Sequence, residues 1–221
     1  MRKTTAKELA FFGRITAGFT HEIKNILAII KESSGLMEDL LLLTKDDPFP
    51  HWERFSRRVL VIRQQVQRGV ELSNRLNRFA HSPDEPVSRI DLNEMADQLV
   101  RLSERFARLK EVTLNSSCSE SAVALVTSPV ELQMAVFTLM ESCWNQMQAG
   151  TEIELTVELR EKRPCMSIRL IGETGDMVAA KQKVQSSESF RATQELLGEL
   201  GGEILTDNQD GFTLAFVETK E

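Results

Sequence analysis

Apolar residues recur at three- and four-residue intervals through the first forty positions: Phe12, Ile15, Phe19, Ile23, Ile26, Ile30, Met37 and Leu40. An α-helix turns about 100° per residue, so these positions share one side of a single long helix, predicted over about Thr5–Lys45. Asp46-Asp47-Pro48-Phe49-Pro50 ends it, because proline cannot continue the helical hydrogen-bond ladder. A second helical pattern runs from about Trp52 to His81, with Phe55, Val59, Ile62, Val66, Ser73 and Leu76 at core spacing. Two long amphipathic helices joined by a short turn predict an αα-hairpin. A lone hairpin leaves its apolar stripe half covered. A second copy of the chain is therefore expected to complete a four-helix bundle across a two-fold axis.

Ser82-Pro83-Asp84-Glu85-Pro86 breaks the helical pattern and marks a domain boundary. The expected division is a hairpin over 1–82, a linker over 83–88 and a mixed domain over 89–221. In that last region Asp91-x-x-Glu94 reads as a capping box opening a helix to about Leu109. Short strands are expected at Val112–Leu114 and Ala122–Val126. Ser128-Pro129-Val130-Glu131 starts a helix that runs to about Met147. Thr151–Arg160 and Cys165–Ile171 alternate as strands around a turn over Glu161–Pro164. A loose polar segment from Gly172 to about Ser186 precedes a helix over Ser187–Leu200. Strands Glu203–Leu205 and Phe212–Val217 close the chain around a turn over Asp207–Gly211. The fold class is α+β: a helical hairpin followed by an α/β sandwich.

Composition narrows the function classes. Three cysteines, Cys118, Cys143 and Cys165, form no CxxC pair, which argues against a disulfide framework or a structural zinc and fits a reducing cytoplasm. No apolar run approaches the roughly 20 residues that span a bilayer. The net charge of −6 is uneven: to Pro86 there are 14 Lys+Arg against 11 Asp+Glu, and after it 13 against 22. That surplus makes no nucleic-acid stripe. Arg54, Arg57, Arg58, Arg63, Arg68, Arg75 and Arg78 do cluster on the second helix, as a solvated face or as a surface that steers an acidic protein partner. His51 and His81 stand without metal-ligand neighbours in sequence. Met134, Met140 and Met147 read as core, and Trp52 and Trp144 as packing residues.

The candidate chemistry lies in the first helix. His21 points away from the apolar stripe, Asn25 follows one turn later on nearly the same face, and Glu22 lies at the edge of the stripe. The run Ala17-Gly18-Phe19-Thr20-His21-Glu22-Ile23-Lys24-Asn25-Ile26-Leu27 resembles the H-box of two-component sensor histidine kinases, A-G-x-x-H-E-I-x-N-P-L, with Ile26 in place of the family's proline. The resemblance implies that His21 is a phosphoacceptor in a dimerising hairpin. It implies that Glu22 assists the imidazole and that Asn25 occupies the position associated with dephosphorylating a receiver.

The order of elements after the linker resembles the ATP-binding domain of the same family, but its nucleotide motifs are eroded. Where the family has N-L-x-x-N-A, this chain has Thr138-Leu139-Met140-Glu141-Ser142-Cys143, so both amides are replaced, by Thr138 and Ser142. Where it has D-x-G-x-G, the chain reads Gly172-Glu173-Thr174-Gly175-Asp176. The phosphate-binding glycines correspond to Ser187-Glu188-Ser189-Phe190. A carboxylate at Glu188 is unfavourable where phosphate would lie on a helix N-terminus. The degenerate positions Thr138, Ser142, Gly172, Glu173, Gly175, Ser187 and Ser189 together predict that ATP is not bound. No cofactor and no metal of its own are expected, with Mg²⁺ supplied by a partner receiver domain.

The function these readings imply is a histidine phosphotransferase of a phosphorelay, carrying phosphate on His21 between receiver aspartates. The expected partners are a response-regulator receiver, a second copy of the chain and an upstream hybrid histidine kinase, with no nucleic acid and no membrane. A sensor is expected as a separate protein unless the chain belongs to a longer one. The alternatives are a response-regulator phosphatase, a non-catalytic dimeric adaptor or pseudokinase, and an ATP-dependent histidine kinase with an atypical pocket.

Overall fold

The structure, a computed structural model, describes residues 2–42, 52–119, 121–206 and 210–217. The expected inter-helix turn over Asp46–Pro50, together with His51, lies outside them, as do residues 207–209 of the expected closing turn. The chain divides into two compact units, Thr16–Ala80 and Met1–Ile15 with His81–Glu221.

Helix α1 (Arg2–Leu42) contributes to both units, and α2 (Trp52–Ala80) completes the hairpin unit. Ile26 is buried on α1, and a Cβ placed on Gly69 of α2 would lie 3.7 Å from its Cγ2. That is an ordinary van der Waals distance, so the two helices pack here without requiring a glycine. On α2, Phe55, Ile62, Leu72 and Leu76 are half-buried. Val59, Val66 and Ser73, expected in the same stripe, are instead exposed. They are displaced by about 60° around the wheel from the Ile62–Leu76 line, and one partner helix covers only one line. Leu27, Val59, Leu60, Val66 and Val70 thus present apolar surface on the hairpin of a single chain.

In the other unit a five-stranded mixed sheet has the order β2-β4-β5-β7-β6. Its strands are β2 (Thr113–Ser117), β4 (Glu152–Arg160), β5 (Arg163–Ile171), β6 (Gly202–Leu205) and β7 (Gly211–Phe216). β2 and β4 are parallel and the other pairs antiparallel. Ile153, Leu155, Met166, Ile168, Leu170, Phe212, Leu214 and Phe216 are buried. Helices α3 (Leu92–Arg108), α4 (Pro129–Trp144) and α6 (Glu188–Glu199) complete this core. Phe190 of α6 lies 5.4 Å from Phe212, ring to ring. Asp91 caps α3 by accepting from the Asn93 N–H at 2.9 Å. Pro129 stands at the first position of α4, where its missing N–H costs nothing. Gly211 is obligatory: a Cβ there would lie 2.0 Å from the Ile168 carbonyl oxygen. At the β4–β5 turn Glu161 and Lys162 both have positive φ, 51° and 68°, the conformation that matches a tight hairpin to strand twist.

Two elements depart from expectation. Strand β1 (Ser88–Asp91), which the sequence did not reveal, pairs antiparallel with β3 (Ala124–Thr127) in a separate two-stranded sheet. Four residues are too few to show an alternation. The expected loose segment after Gly172 is helix α5 (Thr174–Gln185). Met177, Ala180 and Val184 are buried at helical spacing. The buried Lys181 donates from Nζ to the Thr206 carbonyl at 2.6 Å. The polar residues between these anchors hid the pattern.

Candidate functional site

His21 lies on the exposed side of α1, one turn before Asn25. Asn25 Nδ2 is 3.3 Å from His21 Nδ1. This is the i, i+4 contact that helical geometry allows. Ala17 and Ala28 are exposed nearby, whereas Gly18 is buried. Glu22 forms an ion pair across the hairpin. Its Oε2 is 3.2 Å from Nη2 of Arg68 on α2, and the Glu22 side chain is only 13% exposed. Asn25 lies against a ring nitrogen of His21. The sequence marks Arg68 only as one of the arginines clustered on the second helix, not as the partner of Glu22. The available signal was the antiparallel register that a turn near residue 48 imposes on the two helices.

The Asn25 contact bears on the ring tautomer. As placed, the amide donates to a bare Nδ1, which leaves the proton on Nε2. Amide nitrogen and oxygen are interchangeable in shape, and their orientation follows the hydrogen-bond network. Turning the amide over sets Oδ1 against Nδ1–H and leaves the Nε2 lone pair facing solvent. Only that arrangement makes Nε2 a nucleophile.

In the α/β unit, four of the seven degenerate positions come together. Thr138 and Ser142 on α4 face Ser187 and Ser189 at the start of α6, around a cavity of about 190 Å³ also lined by Asn145 and Lys183. Ser142 Oγ donates to the Thr138 carbonyl at 2.9 Å and lies 2.8 Å from Ser189 Oγ. Ser189 Oγ is 3.0 Å from Ser187 Oγ, which donates to the Val184 carbonyl at 2.6 Å and accepts the Phe190 N–H at 3.1 Å. The hydroxyls thus bond one another and cap α6. Gly172, Glu173 and Gly175 do not line this cavity; they lie where α5 begins. A Cβ on Gly172 would come within 2.9 Å of Met177 Cε, so that glycine makes room for a core methionine.

The first helix adds a clamp beside the same residues. Phe11 and Ile15 are buried, and the Phe11 ring centroid lies 5.3 Å from that of Phe137 on α4. Arg14 lies over the Phe137 ring and forks onto Glu141, with Nη1 2.6 Å from Oε2 and Nη2 bonded to Oε1. Glu141, a possible substitute for the missing amides, is thus engaged by Arg14. Among the described residues there is no cluster of three His, Cys, Asp or Glu that could hold a metal. No helix among them is long and apolar enough to cross a membrane.

No protein-family model matches the sequence, and neither does any curated protein sequence. Solved structures similar to the chain include the cytoplasmic segment of histidine kinase QseC, at 15% identity and a TM-score of 0.46, over 70% of this chain and 95% of that one. The Acinetobacter baumannii histidine kinase AdeS is similar at 12% identity and a TM-score of 0.47, over 90% and 98%. Histidine kinase ThkA, solved in complex with the response regulator protein TrrA, is similar at 17% identity and a TM-score of 0.45, over 94% of this chain and 61% of that one.

Proposed function

We propose that the chain is a histidine phosphotransferase of a two-component phosphorelay, acting in the cytoplasm as a homodimer. The observation that supports this best is an exposed His21 within an H-box-like run, its Nδ1 held by Asn25. With the Nδ1 proton directed to Asn25 Oδ1, the Nε2 lone pair attacks the phosphorus of a receiver's aspartyl phosphate. The N–P bond forms as the P–O bond breaks, and the aspartate leaves with the electron pair. The reverse reaction on a second receiver completes the relay. A receiver would bring the Mg²⁺ that its own phosphoaspartate needs. The hairpin over 1–82 performs the transfer, and the region over 89–221 supports it.

The α4–α6 hydroxyl network supports a domain that does not take ATP. Its cavity of about 190 Å³ adjoins one of about 360 Å³ that shares Thr138, Glu141 and Ser189 and is lined by Phe11, Arg14 and Phe137. The Ser142, Ser187 and Ser189 hydroxyls lie within hydrogen-bond distance of a neighbouring hydroxyl or a backbone carbonyl. Arginines exposed on α2, among them Arg54, Arg57 and Arg63, would draw in an acidic receiver surface.

The decisive experiment incubates the chain with a phosphorylated receiver and, separately, with γ-phosphate-labelled ATP and Mg²⁺, and scores acid-labile phosphate. Label from the receiver, absent in His21→Gln, is the expected result. Label from ATP on His21 would instead make the chain an atypical kinase. The position of Asn25 favours one second reading, a receiver phosphatase. In that case inorganic phosphate is released without a labelled intermediate and the release depends on Asn25.

A further inference from the structure

Seven arginines lie on α2, and Arg68 is ion-paired across the hairpin to the residue next to His21. Its guanidinium is half-exposed, at 52%, while the Glu22 carboxylate it meets is largely covered, at 13%. We propose that Arg68 binds the phosphoryl group carried on His21. This rests on the phosphotransfer reading and names a residue that reading lacks.

The physical case is one of charge. A phosphoryl group on Nε2 brings close to two negative charges to α1 one residue from a carboxylate. Glu22 alone would repel it. A guanidinium presents five N–H donors in a rigid plane, and one edge spent on Glu22 leaves others for phosphate oxygens. Glu22 then acts as a positioning residue that holds the cation one residue along α1 from His21 before any phosphate arrives, so less side-chain freedom is lost at the reaction. During transfer, Nε2 forms its bond to phosphorus while the aspartyl oxygen departs with the electron pair. Charge accumulates on the three remaining phosphoryl oxygens. Arg68 donates to one of them and stays with the phosphohistidine afterwards.

The experiment compares the full-length wild-type chain with Arg68→Ala and Arg68→Lys, using a phosphorylated receiver and rapid quenching. It follows the rate of label transfer, the lifetime of the phosphohistidine and the affinity for unphosphorylated receiver. We expect Arg68→Ala to slow transfer by about tenfold, the scale of one lost charge contact at a partly exposed site. Affinity for unphosphorylated receiver should stay within about twofold, as for an ordinary surface substitution. Arg68→Lys should recover part of the rate, since it keeps the charge and loses the fork. An Arg68→Ala rate equal to wild type overturns the proposal while leaving phosphotransfer standing. So does a rate loss matched by an equal loss of receiver affinity, which would make Arg68 a docking contact. Full wild-type rate in Arg68→Lys overturns the requirement for a guanidinium that meets Glu22 and the phosphoryl group together. No label on the wild-type chain overturns the phosphotransfer reading and this one with it.

Discussion

Replacing Phe11 by alanine should destabilise the α/β unit even though Phe11 belongs to a helix that runs on into the hairpin. Phe11 is 4% exposed, and its ring lies 5.3 Å from Phe137. Burying a phenylalanine is worth about 1.5–3 kcal/mol, and an aromatic pair adds about 0.5–1.5 kcal/mol. The expected loss is therefore about 3 kcal/mol, at the lower end of the range for Phe→Ala in a core. The assay is denaturant unfolding followed by tryptophan fluorescence. Trp144 is buried and its ring meets that of Phe137 edge-on at 5.7 Å, whereas Trp52 is 65% exposed and gives a nearly constant background. Leu9, on the same helical segment but 68% exposed, provides the control, with an expected change within about 0.5 kcal/mol. If the Phe11→Ala and Leu9→Ala transitions coincide, the first helix does not belong to the core of this unit and the reasoning fails.

Three further outcomes are expected. Burial pushes the Cys143 thiol far above its ordinary range and also raises Cys165, while Cys118 is exposed. A thiol reagent should accordingly titrate one cysteine in the native chain at pH 8 and all three in denaturant, and reaction of Cys143 without denaturant would contradict the structure. Light scattering should give twice the 25.0 kDa chain mass for wild type and a mass near one chain for Val66→Glu, since Val66 is half exposed on the apolar face of the hairpin; an unchanged mass would remove Val66 from the dimer seam. Asn25→Ala, which loses one exposed hydrogen bond worth about 0.5–1.5 kcal/mol, should slow phosphoryl transfer by about two- to tenfold, and an unchanged transfer rate with abolished phosphate release would favour the phosphatase reading.

The long periodic elements were legible in sequence because each advertises itself over many turns. The stripe from Phe12 to Leu40 could be nothing but a helix, and Asp91 and Ser128-Pro129 fixed two helix starts almost to the residue. Helix α5 was hidden because its buried apolar side chains, Met177, Ala180 and Val184, are few and are mixed with an exposed Val178 and with Lys181, Gln182 and Lys183. The apolar positions of α2 are split between two lines, and the sequence does not say which one the hairpin covers and which it leaves exposed on a single chain. At the candidate site, His21 and Asn25 share a face because their spacing demands it. The Arg68–Glu22 pair joins positions 46 apart in sequence, and only the hairpin geometry makes them neighbours. Arg14 and Glu141 are 127 apart, and nothing in either local sequence signals their contact.

The two polar constellations of the molecule differ in what they leave unspent. A site that does chemistry on a visiting group must keep donors or acceptors free for it, whereas polar groups with a structural role bond one another. Ser142, Ser187 and Ser189 follow the second pattern: their hydroxyls lie in a row at hydrogen-bond distance, the outer two donating to the Thr138 and Val184 carbonyls, and Arg14 takes both oxygens of Glu141 beside them. A triphosphate would have to break those bonds and displace a guanidinium before it gained any of its own. His21 follows the first pattern. One ring nitrogen meets Asn25 while the imidazole stands exposed, and Arg68 is held at the neighbouring carboxylate with half its side chain in solvent. On the proposed phosphotransfer reading, phosphate comes to the hairpin from outside, on another protein, with His21 as its nucleophile and Arg68 as its counter-charge.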